Sequence, residues 1–82
     1  MFKQITCKMH SNVSNVCLVN VAQIKCVEIN EIEGKENCFS VNLQFGGECN
    51  ISCSGFIVGG YGTINAFFNG EDTALFIDST KL

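Results

Sequence analysis

The chain reads as a mainly β protein: a small antiparallel sheet or partial barrel of five to six strands, with at most one short helix, in a single domain over residues 1–82. Three observations predict this. Residues 38–54, CFSVNLQFGGECNISCS, alternate apolar and polar side chains on both sides of a Gly-Gly step, which is the period of strands buried on one face. Residues 64–77 carry a second apolar pattern around the turn signal Asn69-Gly70-Glu71. About 46% of the chain is apolar and proline is absent, enough for a compact core and with no polyproline linker.

The first hairpin can be assigned a register. Directly opposed residues of an antiparallel pair share a face. A two-residue loop at Gly46-Gly47 sets Leu43 against Asn50, whereas a three-residue loop over 46–48 sets Phe45 against Cys49, Leu43 against Ile51 and Val41 against Cys53. The second register, or a glycine bulge that produces it, keeps the apolar residues together and is the one expected.

Before the hairpin, residues 2–9 form a first strand with Lys3, Ile5, Cys7 and Met9 on the core side. Residues 10–15 are polar and form a loop. Residues 16–20 and 23–30 read as one strand that continues past a kink at Asn20 to Ala22, and the change of parity between Ile24/Cys26 and Val27/Ile29 implies a bulge near Cys26. Glu28, Glu31, Glu33 and Glu36 then crowd a turn with Gly34-Lys35 at its tip.

After the hairpin, residues 54–70 are ambiguous. Ile57, Tyr61, Ile64 and Phe68 fall at helical spacing, but Gly55, Gly59, Gly60 and Gly62 would each cost about 1 kcal/mol inside a helix. The expectation is an irregular glycine segment leading to a strand over 63–68, with a helix within 54–68 as the alternative. The last hairpin sets Ile64, Ala66 and Phe68 against Phe76, Ala74 and Asp72. Phe67, Leu75 and Ile77 then point the other way and need a cover, either the rest of the domain or another chain.

Val19-Asn20-Val21-Ala22-Gln23-Ile24, followed by Val27-Glu28 and a strand that ends at Gly46-Gly47, resembles the β-rich pattern of small bacterial proteins of the flagellar FlbD type. The resemblance covers about residues 18–54 and implies sheet. This chain differs in its longer acidic loop and in the glycine-rich continuation where that family has a charged helix.

Composition narrows the function classes. The formal charge is −3, and all five cations are lysines; nucleic-acid binding by counterion release needs a clustered basic surface, and guanine is read by arginine. No apolar stretch reaches signal-peptide or membrane-span length, so the expectation is a soluble protein of the reducing cytoplasm, of its own cell or of an infected host. The six cysteines have strand-like apolar flanks, as expected of reduced thiols packed as small hydrophobes. Structural disulfides in a secreted domain are the alternative. There is no C-x-x-C pair for a metal, no cofactor fingerprint, and His10 is the sole candidate base.

These readings point to a protein that is not an enzyme and holds no cofactor or metal: an interaction module that acts as a homodimer or as a small inhibitor or regulator of a larger protein. Its size and acidity fit inhibitors that phages use against host defence or transcription machinery. The candidate partner-binding residues are Glu28, Glu31, Glu33, Glu36, Phe67, Leu75 and Ile77. A thiol-based metal or redox protein is the rival reading.

Overall fold

A computed structural model describes residues 2–82. The strands are β1 (Phe2–His10), β2 (Val13–Asn20), β3 (Ile24–Glu31), β4 (Cys38–Phe45), β5 (Asn50–Phe56) and β6 (Ala74–Asp78), with one helix, α1 (Tyr61–Phe68). They form one six-stranded sheet in the order β2-β1-β6-β5-β4-β3. Every pairing is antiparallel except β1 with β6, which is parallel. The chain therefore builds a mixed sheet. Parallel neighbours need a long crossover, and here most of the molecule lies between them.

β2 and β3 occupy opposite edges of this sheet, yet only Val21–Gln23, a 3-10 turn, separate them. Five strand spacings of about 4.8 Å would put the edges of a flat sheet about 24 Å apart, while the four residue steps from Asn20 to Ile24 span about 14 Å at most. The sheet must curl until its edges approach at that end. Phe2, Leu18 and Val19 accordingly line one cleft with Phe45, Cys49 and Ile51. Residues 16–30 are thus not one kinked strand, as their sequence suggested, but two strands that the turn throws to opposite edges.

The β4–β5 hairpin has the expected register, with Leu43 opposite Ile51 and Val41 opposite Cys53. The Phe45 amide donates to the Cys49 carbonyl at 3.0 Å, and Gly47 takes a φ of 78° in the loop, a conformation with no steric cost for glycine. The bulge anticipated near Cys26 lies between Ile24 and Cys26. The predicted polar loop over 10–15 shrinks to a turn at Ser11 and Asn12, because β2 starts at Val13.

Residues 61–68 are helical, so the expected strand over 63–68 and the second hairpin do not form. The glycine cost explains the difference: Gly55 lies in β5, Gly59 and Gly60 precede α1 with positive φ, and only Gly62 is inside the helix. The real penalty is that of one glycine rather than four. Ile64 and Phe67 pack from α1 into a core shared with Ile5, Val19, Phe39, Val41, Leu43, Ile57, Leu75 and Ile77. Lys3, buried on the inner side of β1, donates through Nζ to the Phe67 carbonyl and lies 5.0 Å from the centroid of its ring. A cation at a helix C-terminus and over an aromatic face is favourable on both counts, and it pins α1 to the first strand.

β5 and β6 are joined only at Phe56 and Asp78. Beyond that bridge a 3-10 turn, Ser79–Lys81, leaves the sheet, and the Cys7–Cys53 disulfide links β1 to β5 across the gap. The Ser79 hydroxyl donates to the Ser54 carbonyl at 2.5 Å. Gly55 allows this seam: a Cβ there would sit 2.5 Å from the Asp78 carbonyl oxygen.

Candidate interaction surface

Phe67, Leu75 and Ile77, three of the residues assigned to a partner face, are fully covered by their own chain. This corrects the sequence reading, and the physical reason is the helix. With residues 61–68 helical, Phe67 points down onto the sheet while Leu75 and Ile77 point up to meet it, so one core absorbs both apolar sets. The other four residues, Glu28, Glu31, Glu33 and Glu36, are exposed. Glu31, Glu33 and Glu36 surround an open concavity over the β3–β4 connection, with Lys35 among them.

Four of the exposed apolar side chains gather elsewhere, apart from Val58 and Tyr61 near the start of α1 and Val27 on β3. On β1 the even-numbered residues face away from the core, and the register extends this outer face to β2 and β6. One row across the three strands is Leu18, Gln4 and Ala74; the next is Val16, Thr6 and Phe76; Phe2 flanks the first. Leu18 is 70% exposed, Phe2 66%, Val16 58% and Phe76 50%. Scattered apolar residues on a surface are ordinary, but a contiguous group marks a contact site. The sequence held a signal for it. Val16-Cys17-Leu18-Val19 is apolar at both parities, so one parity had to face outward.

β2 is also a free sheet edge. Its eight residues, VSNVCLVN, include no charge and no proline. Unpaired edges are normally protected by charges, prolines or bulges, since they present a row of unused backbone donors and acceptors. The one irregularity near β2 is a register shift in β1 between Lys8 and His10, opposite its first residue.

The cysteines depart from the expected buried, reduced set. Cys38 is buried and Cys17 partly so, while Cys26 and Cys49 are exposed and Cys7 is bonded to Cys53. Cys26 lies opposite Gln44, on the outer side of the bulge, and Cys49 sits in the hairpin loop. Cys17 faces inward on β2, opposite Ile5. Among the described residues no three His, Cys, Asp or Glu side chains converge as metal ligands, and His10 is exposed at the end of β1. The Thr80 hydroxyl donates to Asp78 and, against the opposing effect of burial, holds its carboxyl below the ordinary value. The Thr80 amide, at 3.0 Å, and the nearby Lys8 and Lys81 act in the same direction.

No family model, no curated protein and no solved structure matches this chain. The FlbD-type resemblance therefore rests on the residues quoted for it alone.

Proposed function

We propose that this chain is a non-catalytic protein-interaction module that binds through the outer face of β2, β1 and β6. The observation that supports the reading is the group Phe2, Val16, Leu18 and Phe76, 50–70% exposed on one face next to an uncharged edge strand. In a chain this short, where little core is spare, four large apolar side chains left in water are better accounted for by a contact than by folding. The outer face suits a partner whose own surface is apolar or that offers a strand, since edge pairing draws affinity from the main chain and specificity from alternate side chains.

The test compares the wild-type chain with a Leu18→Lys/Phe76→Lys double variant and with a variant in which Glu28, Glu31, Glu33 and Glu36 are all changed to Gln. Sedimentation and affinity capture with identification of the bound protein are read together. Association of the wild type, with itself or with an identified protein, should vanish in the double variant and persist in the glutamine variant. Loss in the glutamine variant alone would move the site to the acidic turn. A wild type that neither self-associates nor captures a protein through this face would overturn the reading.

A further inference from the structure

We infer that the partner at the β2 edge is a second copy of this chain, paired antiparallel to it about a two-fold axis through Cys17. The inference rests on the interaction-module reading above and names its occupant. It is carried by the juxtaposition of an uncharged free edge with an outer-face residue order that is self-complementary in one register.

Opposed residues of an antiparallel pair share a face, so β2 can meet its own copy only in registers centred on a residue. Centred on Cys17, the outer face pairs Val16 with Leu18 of the partner copy and Ser14 with Asn20, apolar with apolar and polar with polar. Centred on Val16, it pairs Ser14 with the exposed Leu18. Centred on Leu18, it pairs Val16 with Asn20. The Cys17 register alone covers both Val16 and Leu18 with apolar partners, and two-fold symmetry makes each of those contacts twice.

Charge selects the same edge. A two-fold contact brings like residues towards each other, and like charges opposed across strands are destabilising. β3, the other edge, lines its ladder with Lys25, Glu28 and Glu31, charges that resist the pairing of a further strand, and its bulge at Lys25 interrupts the ladder. β2 brings no charge at all to such an axis. The pairing joins two curled six-stranded sheets into one, while Phe76, two strands in from the edge, stays outside the new contact.

The experiment is sedimentation across the micromolar to submillimolar range, together with thiol oxidation in a Cys26→Ser/Cys49→Ser background that removes the two exposed thiols. A residue opposed to itself in an antiparallel pair has a Cα separation of about 4.5 or 5.5 Å, inside the range a disulfide spans. Mild oxidation with diamide should therefore trap a Cys17–Cys17 dimer, and Cys17→Ser should abolish it. Leu18→Lys should weaken the dimer by about tenfold or more, a step of about 1.4 kcal/mol, while Val58→Lys, an exposed apolar residue away from β2, leaves it intact. Leu18 is exposed, and circular dichroism checks that its variant folds. A dimer that resists Leu18→Lys, or that does not cross-link through Cys17, overturns this pairing. A monomer throughout overturns self-association. In either case the interaction-module reading survives if Leu18→Lys/Phe76→Lys removes capture of an identified protein, and falls with the inference if it does not.

Discussion

The two edges of this sheet are built in opposite ways. β3 carries Lys25, Glu28 and Glu31 and a bulge at its start, the devices by which natural sheets refuse further strands. β2 is as long, eight residues, and carries none of the charges. One molecule thus protects one edge and leaves the other open. An edge left unprotected beside exposed Val16 and Leu18 is the observation on which the proposed contact rests. The contrast also shows why apolar content alone misplaces a binding face. β6 is at least as apolar as β2, but α1 packs Ile64 and Phe67 against its Leu75 and Ile77 and closes the core, whereas Val16 and Leu18 on the outer side of β2 stay exposed.

The comparison can be broken at several points, from the largest effect to the smallest. The thinly paired seam between β1 and β5, flanking β6, is bridged covalently by Cys7 and Cys53, 46 residues apart. Chain-entropy arguments assign about 4 kcal/mol to a loop of that length, so a Cys7→Ser/Cys53→Ser variant should lose stability of that order in urea unfolding. Next comes the contrast between covered and open apolar residues: Leu75→Ala, in the core, should cost about 3 kcal/mol, whereas Phe76→Lys, its neighbour on the outer face, should stay within about 0.5 kcal/mol. A third substitution turns one edge into the other. Replacing Lys25, Glu28 and Glu31 with Val should leave the monomer fold in place but create association at β3, visible as higher oligomers by light scattering; an unchanged mass distribution would mean that the charges do not protect that edge.

The smallest effect is on pH dependence. The Asp78 carboxyl is held below its ordinary value chiefly by the Thr80 hydroxyl. Its stabilising contribution is therefore complete above the unfolded carboxyl's value, near 3.8, and is lost as pH falls through the lower folded value. Asp78→Asn should remove that part of the acid slope and lower stability at neutral pH; an identical acid profile in the variant would deny the linkage.

Much of the sheet was legible in the chain itself. The β4–β5 hairpin could be placed to the residue because Phe39, Val41 and Leu43 alternate strictly with polar neighbours, and a period of two leaves one workable register around Gly46 and Gly47. The inward set of β1 was legible for Lys3 and Ile5, but not for Met9, which is exposed beyond the end of the covered region. Helix α1 was obscured because its length could not be separated from the glycines before it. Once Gly55, Gly59 and Gly60 fall outside, the local cost no longer opposes a helix. The edge positions of β2 and β3 were not legible either. Strand order is set by long-range pairings such as Ile5 with Leu75, which leave no mark on the local pattern. For the same reason the local pattern points to Phe67, Leu75 and Ile77 as the surplus apolar face, whereas Phe2, Val16 and Leu18 are the exposed ones.

Amide hydrogen exchange of the wild-type chain at a low and a high protein concentration tests the asymmetry of the edges most directly. The account predicts that amides of β2 between Ser14 and Asn20 gain protection as concentration rises while those of β3 do not change. Equal behaviour of both edges, or gain confined to β3, would contradict it.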